Sequence, residues 1–114
     1  MNVITYYSQE PLSLKYSDEE LLGKINEYIS ELVDINFTYS QLCDFILSKA
    51  DDDNKLGKKQ NTIYLNPRLS SSDFSRISIT LWRMILNGEI CIDFYVNPYR
   101  GGIKGDTTFI IVKK

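Results

Sequence analysis

Four polar side chains, Arg76, Thr80, Arg83 and Asn87, recur at intervals of four, three and four residues. At 100° per residue that spacing lines them up as one narrow stripe along a helix. Arginine forks onto guanine edges or phosphate, and asparagine pairs with adenine, so the stripe carries the groups of a groove-reading helix. A solvated polar edge on a mostly buried helix explains the same four residues without a ligand. The rest of that helix is apolar and broad. Phe74, Ile77, Leu81, Met84 and Ile85 share one side, and Ile79, Trp82 and Leu86 extend it around the cylinder. A helix lying in a DNA groove cannot also be buried over most of its circumference. Ile79, Trp82 and Leu86 are therefore either core or a contact with another protein chain.

Other chemistries lack their residues. The chain has no histidine, which removes the commonest general base and metal ligand. Cys43 and Cys91 form no CxxC pair and sit among apolar neighbours, so both read as reduced core thiols. Asp51, Asp52 and Asp53 begin like a calcium loop, but Lys55 stands at a ligand position and Thr62 at the closing one. Gly57-Lys58-Lys59 lacks the upstream glycine of a phosphate loop. Glu89 and Asp93 share a strand face where solvent is expected. Without a catalytic set, the chain is expected to be non-enzymatic and to need no cofactor or metal.

Charge is unevenly placed. Residues 1–53 hold eleven acids and three bases, a net of −8, whereas residues 54–114 hold ten bases and four acids, a net of +6. The basic half contains Lys55, Lys58 and Lys59, then Arg68, Arg76 and Arg83, then Arg100 and Lys104, and ends in Lys113 and Lys114. About six phosphate contacts suffice for strongly salt-dependent DNA binding. Tyr99, beside Arg100, adds a stacking or sugar contact. The acidic first helix is expected to face away. The overall charge is only −2, which excludes a general polyanion binder. The opposite reading is that both signs simply keep the protein soluble.

These residues need elements to position them. The chain's 114 residues suit a single domain. Residues 2–7 read as a short strand or extended arm, with residues 1–16 as an N-terminal arm overall. Ser17–Glu20 and Thr38–Gln41 are capping boxes, each flanked by an apolar staple pair, Tyr16 with Leu21 and Phe37 with Leu42. The first helix is predicted to run to about Asp34 on a stripe of Leu21, Leu22, Ile25, Tyr28, Ile29, Leu32 and Val33. The second follows after a link of about four residues. Residues 51–69 are a polar loop with a short strand at Thr62–Leu65. A third helix runs from a serine cap among Ser70–Ser72 to Leu86, closed by Asn87-Gly88. Two strands finish the chain. In Glu89–Val96, Ile90, Ile92, Phe94 and Val96 face one way, and Thr107–Val112 is the partner. The connection between them, residues 97–106, is long and rich in glycine.

Helix, sharp turn, helix, short strand, helix, glycine and a hairpin with a long basic loop: this order resembles a winged helix-turn-helix domain. Leu81–Ile92, "LWRMILNGEICI", is similar to the passage from recognition helix to wing in that superfamily. The resemblance covers residues 17–114 at the level of fold. It implies an α+β domain of three helices with a small antiparallel sheet, made from the short strand and the C-terminal wing hairpin. The 51–69 segment is long for the usual turn. For function, the resemblance implies double-stranded DNA as partner, as in a transcriptional regulator or a replication or mobile-element accessory factor. The contacts would come from Lys58, Lys59, Arg76, Thr80, Arg83, Asn87, Arg100 and Lys104, in a homodimer. Winged-helix domains also act as protein-binding adaptors. Eight Tyr, five Phe and one Trp suit that role, with Ile79, Trp82, Leu86 and Tyr99 as interface residues. An inhibitor or immunity-type protein offering its acidic half to a basic partner is a variant. No apolar run approaches the roughly 18 residues of a membrane span. The start, MNVITYYSQE, shows no basic-then-apolar signal, so a cytoplasmic chain is expected.

Overall fold

The computed structural model describes residues 4–95 and 102–112. The element order is β1 (Tyr6–Ser8), α1 (Asp18–Glu31), β2 (Asn36–Thr38), α2 (Tyr39–Asp52), β3 (Thr62–Tyr64), α3 (Ser71–Leu86), β4 (Ile90–Ile92) and β5 (Thr108–Ile111). The fold is α+β, with three helices and two small sheets among the described residues.

Local chemistry starts each helix where the capping residues stand. Ser17 Oγ accepts from Glu20 N–H while the Glu20 carboxylate accepts from Ser17 N–H, and Thr38 and Gln41 repeat the exchange. Ser70 caps α3. Both staple pairs are buried. Gly88, at φ 73°, supplies the left-handed residue that lets the chain leave α3 and enter β4.

Helix α1 stops at Glu31, three residues short of the expected end. Leu32 is already extended (φ −65°, ψ 134°), and Val33 is 98% exposed. The reason is the next strand. Phe37 must reach the position opposite Phe109, where the two rings stack at 5.3 Å, and a longer helix would carry it past. Tyr28 meets Phe37 edge-on at 5.6 Å and closes the cluster from α1.

The sheet also departs from expectation. Its antiparallel order is β2-β5-β4, so the strand beside the hairpin is Asn36–Thr38 and not Thr62–Leu65. The hairpin is where it was expected, but β4 ends at Ile92. Phe94, assigned to the Ile90 face, is 58% exposed. Alternation within β4 buries Ile90 and Ile92 and turns Cys91 outward, which corrects the reading of Cys91 as a core thiol. Cys43 is buried as expected.

Thr62–Tyr64 pairs instead with the N-terminal arm, in parallel, as a separate ribbon of β1 and β3. The arm continues alongside the 51–69 segment through bridges Leu12↔Leu69 and Leu14↔Leu56, and all four leucines are buried. The long connection is thus ordered by the arm. Its carbonyl and amide partners are Arg68 O for Leu12 N–H and Lys55 O for Lys15 N–H. Leu21, Ile25, Leu42, Ile46, Ile77 and Leu81 form the helical core above it, each fully enclosed.

Candidate interaction surface on the third helix

The buried side of α3 is set by Ile77, Leu81 and Met84, with Asp73 at its start. Asp73 is the one buried carboxylate among the described residues, at 3% exposure. It accepts from Leu14 N–H (2.8 Å), the Ser70 hydroxyl (2.7 Å) and Arg76 Nη1 (3.2 Å). This knot ties the arm to the helix start.

The polar stripe does not form the outward ridge. Arg76 donates to Asp18 (3.0 Å), to Asp73 and, through Nη2, to the Tyr16 carbonyl (2.6 Å). The Thr80 hydroxyl donates back to the Arg76 carbonyl (2.9 Å). Asn87 is the exposed C-cap, its N–H directed at Arg83 O and Ile85 O. Together with Arg83 these residues line a groove of about 340 Å³ against α1, shared with Asp18, Leu22, Asn26 and Glu89.

The ridge itself is apolar. Ile79, Trp82 and Leu86 are 52%, 37% and 83% exposed, on successive turns of α3. Exposed Leu22 lies across the α1 groove. On the other flank lies a depression of about 660 Å³, walled by Tyr39, Cys43, Phe74, Ser78, Ile79 and Ile103. Ile79 borders both hollows, so the ridge stands between two grooves. Phe74, placed by the sequence on the same side as Ile77 and Leu81, is 36% exposed at the rim of the larger one. Residues 103–107 meet this groove because the free N–H groups of Tyr39 and Ser40 at the start of α2 donate to Thr107 O and Gly105 O, both 3.0 Å.

The larger groove holds no activated nucleophile. Burial pushes the Cys43 thiol up to about 12 and holds the Tyr39 hydroxyl protonated, the latter donating to Phe74 O (2.8 Å). At neutral pH both of these groups are neutral, and Asp44 is the acidic side chain of the lining. Among the described residues no group of three metal-ligating side chains comes together.

Folding offsets part of the charge separation along the chain. Lys58 pairs with Asp51 (2.6 Å), Lys59 with Glu10 (3.3 Å), Lys55 with Glu20 (3.6 Å) and Arg76 with Asp18 (3.0 Å). Four of the eleven first-half acids, Glu10, Asp18, Glu20 and Asp51, sit against bases of the second half, and two of these are at the start of α1, which was expected to face away. The arm beside the 51–69 segment brings Glu10 to Lys59, whereas Lys58 meets Asp51 seven residues before it and Arg76 meets Asp18 between α3 and α1. Arg83 and Lys104 are exposed and make no ion pair among the described residues. Arg100, Tyr99, Lys113 and Lys114 lie outside the described residues.

The signal for the ridge was in the sequence: an apolar arc on α3 too wide for one core face. The signal for Asp73 was not, because its partner Leu14 is 59 positions away. Among the described residues no helix is long and apolar enough to cross a membrane. No family model, curated protein or solved structure matches the chain.

Proposed function

We propose that the chain is a non-enzymatic winged-helix protein that docks another protein along the outward ridge of α3. The observation that carries this reading is the exposure of Ile79, Trp82 and Leu86 on consecutive turns. The order of three helices and a hairpin supports the winged-helix comparison, and β2 completes the hairpin's sheet in antiparallel register. A protein interface favours an apolar centre with Trp and Arg and a polar rim. Here the rim is Arg83 and Asn87 on one side and the Ser78 and Tyr39 hydroxyls on the other. Such a ridge fits poorly in a DNA groove, where three apolar side chains would replace phosphate and base-edge contacts. The partner surface that matches is an apolar channel of a larger subunit, closed over Trp82.

Duplex DNA is the second reading, favoured by Arg83 and Lys104, which remain exposed and unpaired among the described cations. The two readings separate in one experiment. A photo-crosslinking residue at position 86, with position 68 as control, is used to capture partners in the source cell. Specific protein adducts at 86, lost on Trp82→Ala, are expected. Labelled duplex is titrated in parallel at about 50 and 200 mM salt, where phosphate contacts produce a steep affinity loss. Salt-sensitive duplex binding abolished by Arg83→Ala, with no adduct at 86, overturns the docking reading.

A further inference from the structure

The ribbon of β1 and β3 is an incomplete sheet. Parallel strands are normally covered on both faces, and two strands alone are marginal in water. Here one face is open, and the other meets the core only at Tyr64. Tyr7 and Ile63 stand on one face, 69% and 46% exposed; Ile4 and Tyr6 stand on the other, 64% and 59% exposed. The register shows which edge is open. Tyr6 N–H donates to Asn61 O and Ser8 O accepts from Leu65 N–H, both 2.8 Å. By alternation, Thr5, Tyr7 and Gln9 direct their own N–H and C=O groups away from β3.

The geometry points to strand addition at this edge, with the β1 edge of a second copy as the occupant. Three features select a second copy. Residues 4–9 contain no charged side chain, so nothing guards the edge against its own kind. An antiparallel meeting about a two-fold axis at Tyr7 sets Tyr7 opposite Tyr7 and Thr5 opposite Gln9. All three outward residues then fall on hydrogen-bonding positions of both copies, an isologous pairing. The nearest charges, Glu10 and Lys59, already neutralise each other at 3.3 Å, so two copies approach without like-charge conflict. The product is a four-stranded sheet of order β3-β1-β1-β3, with a tyrosine pair at its centre. This surface is separate from the α3 ridge, which stays open to its own partner in the dimer.

Sedimentation equilibrium of the full chain tests it. The wild type is expected to pass from 13.2 kDa towards twice that mass as concentration rises to about 100 µM. Tyr7→Pro removes the outward N–H together with the ring of the central tyrosine pair, and proline is tolerated on an edge strand. It is expected to weaken the dimer at least about tenfold. Tyr7→Lys keeps every backbone group but sets two cations directly opposite, and is expected to do the same. It serves as the decisive variant if the proline lowers the melting temperature. Leu86→Asp should leave the dimer intact. A wild type that stays monomeric at about 100 µM overturns the inference. So does a dimer that survives both Tyr7 variants, or one that Leu86→Asp dissolves.

Discussion

Replacing Asp73 with alanine tests what holds the arm to the helices. The carboxylate is almost wholly enclosed and accepts three hydrogen bonds, from Leu14 N–H, Ser70 Oγ and Arg76. Hydrogen bonds to a charged group contribute roughly 1.5–3 kcal/mol each, but part of that is returned because an ion no longer has to be desolvated. Two of the three donors are replaceable by water. Ser70 and Arg76 reach solvent, and Arg76 keeps Asp18 and the Tyr16 carbonyl. Leu14 N–H is buried and has no substitute, which costs about 1–3 kcal/mol alone. The net loss should be about 3 kcal/mol. For a domain near 100 residues that is a fall of about 12 °C in Tm. Urea unfolding followed by circular dichroism would show the midpoint lower by about 2 M at unchanged slope. Hydrogen exchange at Leu12 and Leu14 should accelerate before exchange in α2 does, because the arm opens first. A loss below about 1 kcal/mol, with Leu14 still protected, would refute the claim that Asp73 anchors the arm.

Gly88→Ala should cost about 1 kcal/mol, read from the thermal midpoint. The φ of 73° strains any Cβ there, while the space around it is open, so a loss several times larger would mean packing is involved. In the native protein a disulfide reagent at pH 8 should modify Cys91 rapidly and Cys43 only on unfolding. Cys91 is exposed, whereas Cys43 is buried and pushed up to about 12; two thiols reacting at one fast rate would contradict this. The Asp53 carboxyl lies below its ordinary value, chiefly because the Tyr16 hydroxyl donates to it at 2.5 Å and then because Lys24 approaches at 3.2 Å. A depressed folded-state value stabilises the fold above the unfolded pKa and is lost as pH falls through the folded one. Tyr16→Phe should therefore differ from wild type more at pH 6 than at pH 2, measured as Tm; a gap independent of pH would count against the linkage.

Short-range information decided the types of all three helices and the starts of the first two, and narrowed the third start to Ser70–Ser72. Ser17, Thr38 and Ser70 cap because each needs only a neighbour three residues on, and that neighbour is written beside it. The hairpin of β4 and β5 was legible for a related reason: Ile90 and Ile92 alternate, and their partner strand is next in the chain. Which strand flanks that hairpin was not legible. Asn36–Thr38 looked like a link because three residues carry too little periodicity, and only the stacking of Phe37 on Phe109, 72 positions later, makes them a strand. The same holds for charge. The halves of the chain differ by sign, yet Lys59 ends against Glu10 once the arm lies along the 51–69 segment, and Arg76 ends against Asp18 where α3 meets α1. Coulomb attraction acts through space and takes no account of chain order. The breadth of the apolar arc on α3 belonged to the sequence. That its Ile79–Trp82–Leu86 part faces solvent was settled by tertiary packing, since Ile77, Leu81 and Met84 fill the core that the three helices enclose.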